Sequence, residues 1–551
     1  MAQKLVPGIG LLLAVALAGS ESARSSAQNV RSSIAAHVQA GDLSTISAST
    51  DLERARLAKL YERAAFSPMW IDAAGRRTER AREAMALLET ADEDGLERAH
   101  YTSGQLNDLA TTLDIGRSPT MEQASQYELA LSAAMLRYLD DLRHGVIDPR
   151  TLGIGLPAPA DRDDVVRCLH GAVDRGRLGG AVECARPVME EYRLLRAALK
   201  RHRTLAAALA ASPPFTATLH PGDRFAGAAR LRARLNAFGD LPSAPSAPVN
   251  IGVYSGSLVE GVKHFQSRHG LDADGVIGRA TWRELSVPPA HRARQIELAL
   301  ERLRWLPHQI DAALLVLNIP LFELRGWDHG WMGDPAFTMK AIVGRPVTPT
   351  PVLRGTMESV IFRPYWNVPR SILRQEFLPT LWKDPGLLVR EDMEIVRGDG
   401  DDADVVAATA HNLDLLDRGR LRLRQRPGPK NALGFIKFVL PNEEYVYLHG
   451  TPAQRLFARS QRAFSHGCVR VEDPVALAEW VFAGSNEWNR ERITETISTS
   501  TVISRRVRVP RRIQVLLVYT TAFATSDGSV RFAPDIYSQD ESLDRALRDR
   551  R

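Results

Sequence analysis

The spacing of the apolar residues changes near residue 307 of this 551-residue chain, and this change limits the folds open to it. Before that point the apolar positions recur at helical spacing, whereas after it they form short runs separated by Gly, Pro and Asn. One core cannot hold a chain of this length, so we expect about two to four domains. The sequence therefore predicts helical domains first and a β-rich domain last.

A helical domain is predicted over residues 45–220. Its clearest helix, which ends at Gly145, is marked by these apolar residues: Tyr127, Leu131, Met135, Tyr138 and Leu142. We interpret the charged stretch Asp140–Gly145 as the solvated end of this helix rather than as a site. A linker rich in Pro, Ser and Ala is predicted from Leu241 to Val249.

The C-terminal part of the chain carries the strand-like runs. They are Ala313–Ile319, Met339–Gly344, Val360–Phe362, Phe435–Leu440, Tyr445–Leu448, Val515–Tyr519 and Val530–Phe532. One helix is predicted among them, because Asp473 is a favourable N-cap, Pro474 suits the first helical position and Gly484 ends the apolar pattern. Many short strands without regular intervening helices favour a β-rich sandwich or barrel.

Composition and charge are those of an ordinary soluble protein: 44% of the residues are apolar, 25% are charged and the net charge is +6. This positive excess is small for the length of the chain. No recognition motif accompanies it, so we predict no nucleic acid partner.

Residues 1–27 are predicted to be a signal peptide. Lys4 supplies the positive start, Ile9–Ala18 is the apolar run, and Ala16-Leu17-Ala18 offers small residues for cleavage. The apolar run has about ten residues, which is too short to span a bilayer. We expect export to a periplasm-like compartment, with retention as an uncleaved membrane anchor as the alternative.

The three cysteines fall into two groups. Cys168 and Cys184 lie in one segment, where they form either a disulfide in an oxidising compartment or two buried free thiols. Cys468 stands apart from them. An unpaired cysteine in an exported protein invites a functional explanation, and its flanking residues are not the apolar ones expected around a core thiol.

The segment Ser465-His466-Gly467-Cys468-Val469-Arg470 places this cysteine between a glycine-assisted turn and a short apolar strand. The predicted strand Tyr445–Leu448 delivers His449, which Gly450 follows at once. A thiol becomes a nucleophile at neutral pH when a neighbouring group takes its proton, and imidazole is the usual partner. These residues predict a covalent acyl-transfer site in which Cys468 attacks and His449 moves the proton.

Residues near Cys468 and His449 are further candidates for the site, and some of them have a structural alternative. Arg470 suits a substrate carboxylate or a structural salt bridge. His466 either orients the loop and the donor or is structural, and Tyr447 shares the strand face of His449 and is a candidate for lining the donor pocket. A zinc site of His449, His466 and Cys468 is the alternative chemistry, but no carboxylate-plus-histidine motif supports it. We therefore predict no metal and no cofactor.

Residues 225–288 resemble a known module. Leu258, Val262, Phe265 and Gln266 lie at helical spacing, and the turn-rich stretch Arg268–Gly278 precedes Thr281 and Trp282. This pattern closely resembles the peptidoglycan-binding domain of cell-wall hydrolases, which is a three-helix module. The resemblance implies the fold; binding to the wall and service as a spacer both remain open.

The cysteine and histidine motifs resemble the catalytic signature of the L,D-transpeptidases. Other matching segments resemble the large periplasmic branch of that family: Phe66–Trp70, Gly344–Pro346, Tyr365–Pro369 and Asn431–Gly434. The resemblance implies a multidomain α+β architecture: a helical scaffold domain, the three-helix peptidoglycan-binding domain and a β-rich catalytic domain. The catalytic domain is expected over residues 308–540, with a helical capping insertion over about 371–430 that moves to admit substrate.

The resemblance also implies a reaction. Cys468 takes a tetrapeptide stem of peptidoglycan as a thioester, with loss of the terminal D-Ala, and a second stem resolves it into a cross-link between two diaminopimelate residues. The Gly450 carbonyl holds the ring of His449, and the N–H groups of Gly467 and Cys468 are candidate oxyanion donors.

By the same resemblance, Trp366 is an aromatic residue of the substrate pocket, although a tryptophan considered by residue type alone suggests a core position. The expected partners are donor and acceptor stems, together with other wall synthases. Carbapenems are expected to acylate Cys468. An L,D-carboxypeptidase and a non-catalytic wall-binding scaffold are the alternative functions.

Overall fold

A computed structural model describes residues 28–39, 50–115, 119–157, 163–208, 217–241, 252–499 and 504–550. The predicted signal peptide and all but the first residue of the predicted linker lie outside these described residues. Among the described helices, none combines the length and the apolar character needed to cross a bilayer. Helices occupy the first half of the chain and strands dominate the second half, so the predicted fold class is confirmed.

The helical domain is built around one long central helix. Its helices are α1 (28–39), α2 (Asp51–Arg63), α3 (Glu79–Glu89), α4 (Gly104–Ile115), α5 (Met121–His144), α6 (Asp164–Asp174), α7 (Gly179–Ala185) and α8 (Glu190–Ala208). Helices α2 and α5 both begin with capping boxes, at Thr50 and Thr120. The fully buried Glu128 of α5 accepts the backbone N–H groups of Met69, Trp70 and Ile71, and so fixes the loop after α2 to the core.

Cys168 of α6 and Cys184 of α7 form a disulfide, with a Cα–Cα distance of 5.8 Å. This pair decides between the two alternatives that the sequence left open. Cys468 is the free cysteine.

The predicted peptidoglycan-binding segment folds around a small core of its own. Its helices are α9 (Ala228–Phe238), α10 (Ser257–Arg268) and α11 (Arg279–Ser286). The buried side chain of Gln266 organises the loop between α10 and α11, because its amide donates to Val276 O and accepts from Gly275 N. Helix α12 (Pro289–Arg304) then leads out of this segment and packs along α8.

The catalytic domain contains all the strands that the structure describes. They are β1 (Ala313–Asn318), β2 (Glu323–Trp327), β3 (Phe337–Gly344), β4 (Leu353–Thr356), β5 (Ser359–Phe362), β6 (Trp366–Asn367), β7 (Met393–Arg397), β8 (Asp404–Val406), β9 (Arg422–Gln425), β10 (Ile436–Val439), β11 (Leu448–His449), β12 (Ala463–Ser465), β13 (Val469–Val471), β14 (Arg505–Arg508), β15 (Ile513–Val518), β16 (Ala522–Ala524) and β17 (Val530–Phe532). Its helices are α13 (Arg370–Ile372), α14 (Leu378–Leu381), α15 (Leu387–Arg390), α16 (Ala410–Asp417), α17 (Pro474–Val481), α18 (Arg490–Ser498) and α19 (Gln539–Asp549).

An 11-stranded sheet forms the centre of this domain. Its order is β14-β5-β10-β11-β13-β3-β2-β1-β15-β4, and β12 pairs with β3 off this path. One apolar core runs from the helical domain through this sheet, whereas the segment of α9 to α11 and the cap have separate cores. Strands β16 and β17 form a hairpin that contacts α8, α10 and α12.

The cap differs from the predicted helical insertion, because it contains a four-stranded sheet in the order β6-β9-β7-β8 beside its short helices. The basic run Arg420–Arg426 contains β9, in which Leu423 is buried in the cap core and Arg424 is buried in an ion pair with Glu394.

The predicted strand Tyr445–Leu448 is wrong over most of its length, since the strand covers only Leu448–His449. The Asn442 side chain accepts Val446 N and donates to Val446 O, and these bonds close a turn instead of extending a ladder. Tyr445 in this turn has a φ of +55°, which a strand does not allow.

Candidate active site

Strand register brings five candidate side chains to one face of the sheet. In the parallel pair of β11 and β13, Leu448 lies opposite Val469 and His449 lies opposite Arg470. In the antiparallel pair of β10 and β11, Lys437 lies opposite His449. Side chains alternate between faces along a strand, so His449, Lys437 and Arg470 share one face. Tyr447 and Cys468, two residues before His449 and Arg470, point to the same side.

The loop that carries Cys468 is locked by hydrogen bonds. The Ser465 hydroxyl donates to Cys468 O at 2.6 Å, and Thr350 Oγ1 donates to Gly467 O at 2.7 Å. Gly467 has a φ of +118°, a conformation that strains any residue with a Cβ atom. The backbone conformation of this turn therefore requires glycine at position 467.

The two predicted oxyanion donors differ in availability. Gly467 N–H donates to Ser465 Oγ at 3.1 Å, so this N–H serves the loop rather than an incoming oxyanion. In the part of the chain that the structure describes, no hydrogen bond engages the N–H of Cys468. The geometry therefore favours Cys468 N–H as the oxyanion donor over Gly467 N–H.

His449 is buried and held by backbone carbonyl groups. Its Nδ1 lies 2.6 Å from Gly450 O, where the nitrogen must donate because a carbonyl only accepts. The neutral ring then keeps its lone pair on Nε2. Burial and the positive charges of Arg470 and Lys437 together lower the pKa of His449 to about 3, although its hydrogen bonds to backbone carbonyls oppose this change. The imidazole is therefore neutral in this state of the site.

The Cys468 thiol is half-buried and faces Tyr447 and Lys437. Burial raises its pKa, whereas hydrogen bonds from Tyr447 and the charges of Lys437 and Arg470 lower it. The Lys437 ammonium lies 3.6 Å from the centre of the Tyr447 ring, which packs 5.6 Å from the ring of His449. Within the described residues no hydrogen bond joins the thiol to His449; the contact of Cys468 Sγ is with Tyr445 O, at 4.0 Å.

Arg470 is a cation without a partner. It is half-buried, its Nε is buried without a hydrogen bond, and in the described parts of the chain no carboxylate pairs with it. Burial lowers its pKa, and Cys468 opposes that change. An unpaired guanidinium beside a thiol suits a carboxylate of an incoming ligand.

His466 and Trp366 belong to the contact with the cap rather than to the face of Cys468. His466 Nε2 lies 2.6 Å from Oε1 of Glu376, which stands in a π-helical turn over Leu373–Phe377. Trp366 of β6 packs edge-on against Phe377 at a centroid distance of 5.9 Å. The loop of Cys468 is thus tied directly to the cap.

Sequence reasoning missed Lys437 and Glu376. Lys437 had a signal, since it is the charged residue within the apolar strand β10, but the register that sets it opposite His449 is not visible in a sequence. Glu376 had none. Its role depends on how the cap folds back onto the loop.

The zinc alternative finds no support in the side-chain arrangement. Across the described ranges, no group of three or more His, Cys, Asp or Glu side chains is placed to hold a metal ion. His449 faces the carbonyls of Gly450 and Leu433, and His466 faces Glu376.

Comparison with known proteins agrees with this architecture. Residues 55–199 match the family described as "Scaffold domain", residues 227–285 match "Putative peptidoglycan binding domain" and residues 316–493 match "L,D-transpeptidase catalytic domain". A Haemophilus influenzae protein named "Putative L,D-transpeptidase" is 29% identical over 253 residues. That alignment covers 46% of this chain and 49% of the relative, so the chain spans about half the length of the curated relative it matches. The chain therefore contains a region that matches the L,D-transpeptidase catalytic domain, preceded by regions that match a scaffold domain and a peptidoglycan-binding domain.

Proposed function

We propose that the chain is a peptidoglycan L,D-transpeptidase that works through a thioester on Cys468. The sulfur attacks the carbonyl at the L-centre of diaminopimelate in a tetrapeptide stem, and the amide bond to the terminal D-Ala breaks. The thiol proton passes through His449 to the departing amine of D-Ala. The side-chain amine of a second diaminopimelate then attacks the thioester, which forms a cross-link and regenerates the thiol.

The observation that carries this proposal is the shared face of Cys468, His449 and Arg470, with His449 Nδ1 fixed on Gly450 O at 2.6 Å. That bond leaves Nε2 as the proton acceptor. Cys468 N–H is the free donor for the oxyanion, and one such donor is worth about 3 kcal/mol in a transition state.

The empty site holds its thiol and imidazole in their neutral forms. The pKa of Cys468 lies above its usual value near 9, and that of His449 lies at about 3. Both shifts therefore disfavour a thiolate–imidazolium pair. Some change on substrate binding must remove most of this difference.

Arg470 supplies that change in our proposal. Its charge is one of the causes that lower the pKa of His449. A stem carboxylate that pairs with Arg470 neutralises this charge, so the pKa of His449 rises and the ring becomes a stronger base. The same pairing removes one of the smaller causes that lower the pKa of Cys468, so proton transfer is favoured by the larger effect on His449.

Mass spectrometry of purified disaccharide-tetrapeptides incubated with the full chain tests the proposal. We expect dimers lacking one D-Ala, and none with Cys468→Ala. The other two cysteines form a disulfide, so Cys468→Ala has no matched cysteine control. For His449→Asn the matched control is His411→Asn, which lies on the exposed surface of the cap. Tripeptide stems in place of dimers would identify an L,D-carboxypeptidase, and dimers from Cys468→Ala would disprove the thioester.

We further propose that the chain is exported by residues 1–27 and acts in the periplasm, and that the module of residues 225–288 binds the wall. Sedimentation with insoluble peptidoglycan, for the full chain and for a chain lacking residues 225–288, tests binding against a spacer role. Cell fractionation and N-terminal sequencing of the mature protein test export and separate a cleaved leader from a retained anchor.

A further inference from the structure

A second cavity lies between the helical domain and the catalytic sheet, with a volume of about 280 Å³. Its walls come from the start of α8, the end of α12, strands β1 to β3 and the hairpin of β16. In the strand order, β3 separates β1 and β2 from β13, the strand that follows Cys468. The cavity is therefore separate from the face of the thiol.

Its wall carries a carboxyl oxygen without a partner. Oε1 of Glu191 is buried and accepts no hydrogen bond in the described part of the chain. Glu323 accepts from two guanidinium groups, Arg325 at 2.7 Å and Arg531 at 2.8 Å. Arg325 also lies over the ring of Phe523, at 3.8 Å from its centre.

Glu190, the neighbour of Glu191, is exposed and accepts from Arg193 at 2.8 Å. At the rim, Asp334 has no hydrogen bond or ion pair with any described residue. The ionisable groups of this cavity that lack a hydrogen-bond partner among the described residues are therefore carboxyl groups.

Burial has left Glu191 in an unfavourable state. Burial raises the pKa of Glu191 to about 8; the charge of Arg325 opposes this rise, and the charge of Glu323 adds to it. A buried carboxyl oxygen without a hydrogen bond costs about 1–3 kcal/mol of stability. Groups kept at such a cost are typical of binding sites rather than of structural cores.

The rest of the wall suits an alkyl chain with a cationic end. The rings of Trp327 and Trp331 lie edge to face, 6.2 Å apart, and aromatic faces attract ammonium ions. The remaining wall is aliphatic. It includes Leu194, Leu303, Leu306, Val316 and Val518.

We propose that this cavity binds an aliphatic primary ammonium ion, with the ammonium group on Glu191 and the alkyl chain against the aliphatic wall. The ammonium satisfies the orphan oxygen and Glu191 ionises, so the complex forms with release of one proton to solvent. The site bridges the helical and catalytic domains, and a bound amine therefore ties the two together. This inference does not rest on the proposed transpeptidase activity.

Calorimetric titration of the full chain with n-pentylamine tests the proposal, with 1-pentanol as the uncharged probe of equal length. We expect the alcohol to bind at least about tenfold more weakly, since a hydrogen bond to a charged group contributes about 1.5–3 kcal/mol. Glu191→Gln should weaken amine binding by the same factor, whereas the matched variant Glu190→Gln and the catalytic variant Cys468→Ala should not.

Proton release provides a second readout that needs no variant. Titrations at pH 7 in buffers of different ionisation enthalpy should show about one proton released per amine bound, because the pKa of Glu191 in the empty cavity lies at about 8. Equal affinities for amine and alcohol, an unchanged affinity in Glu191→Gln, no proton release, or no amine binding to the full chain would each overturn the proposal.

Discussion

Among the buried histidines of the described chain that lie near arginines, two groups can be compared, and one of the two stands beside a free thiol. His449 lies with Arg470 beside Cys468 on the catalytic sheet. The second group stands where three domains meet: His202 of α8 and His269, directly after α10, both pack against Phe532 of β17, each at a centroid distance of 5.6 Å.

The electrostatics of the two groups are alike. Burial lowers the pKa of His449 to about 3 and that of His202 to about 4, and burial also depresses the pKa of His269 far below its usual value. Arginine charges contribute in all three cases. In both groups the ring bonds a backbone carbonyl; the one for His269 is Phe265 O, at 2.7 Å.

The differences lie in what surrounds the rings. The ring of His269 is sandwiched between Phe265 and Phe532, and the nearby Arg268 is paired with Asp240. The site of His449 has a thiol and an unpaired Arg470 instead. A depressed histidine pKa therefore reports burial beside cations, whereas the free thiol and the unpaired Arg470 distinguish the candidate site.

Substituting the two kinds of histidine should produce the largest contrast. His449→Asn should slow acylation of Cys468 by a carbapenem about a hundredfold to ten-thousandfold, because the proton acceptor is lost. His269→Asn should leave the rate per folded molecule unchanged. Intact-mass spectrometry of the adduct over time measures both rates, and equal losses in the two variants would remove the distinction.

Lowering the pH should reduce the free energy of unfolding through His202, which lies where the three domains meet. The pKa of His202 is about 4 in the folded chain and 6.5 in the reference state. Between these values the unfolded chain takes up a proton that the folded chain refuses, so the free energy of unfolding falls as the pH is lowered. The loss from His202 alone amounts to about 3 kcal/mol by pH 4.

Denaturant unfolding from pH 7 to pH 4 measures this slope. His202→Gln should flatten it, whereas Gln at exposed His329 should leave it unchanged. A slope as steep in His202→Gln as in the parent chain would exclude His202 as a source of acid lability.

Lys437→Met should have a moderate effect, confined to the catalytic group. Loss of the ammonium beside Cys468 should raise the thiol pKa and slow alkylation by iodoacetamide about tenfold near neutral pH. The pH–rate profile should shift to higher pH. Lys340→Met removes an exposed lysine of β3 and is the control. An unshifted profile would show that Lys437 does not act on the thiol.

The smallest effect is expected at the contact between the loop and the cap. Glu376→Gln removes the charge facing His466, a half-exposed pair worth about 1 kcal/mol or less. Hydrogen exchange should quicken a few-fold in the turn Leu373–Phe377, because the cap then leaves the loop more often. Asp384→Asn, elsewhere on the cap, should not change exchange in that turn.

Local signals in the sequence predicted much of the fold. The helix predicted from Asp473 and Pro474 begins where expected, because Asp473 accepts the N–H groups of Val475 and Ala476. The apolar runs at β1, β3, β5, β10, β15 and β17 are strands within about one or two residues of the predicted limits. The sequence also predicted the short strand that follows Cys468, which is β13.

Long-range pairing accounts for what the sequence did not predict. The turn at Tyr445 is the exception, because Asn442, whose side chain closes it, lies only four residues before Val446. The burial of Arg424 depends on Glu394, which lies 30 residues away on another cap strand. Lys437 entered the site only through the register of β10 with β11. Interactions of this kind link residues far apart in the chain and leave no periodic trace in it.

The disulfide between Cys168 and Cys184 has a practical consequence for the remaining sulfur. With three cysteines in the sequence and two of them paired, native protein has a single titratable sulfhydryl, so a colorimetric thiol count equals the concentration of free Cys468. Because the other two cysteines are paired with each other, Cys468 has no resolving cysteine. Peroxide damage there would proceed past sulfenic acid or end in a mixed disulfide, and an external reductant would be needed to restore the enzyme.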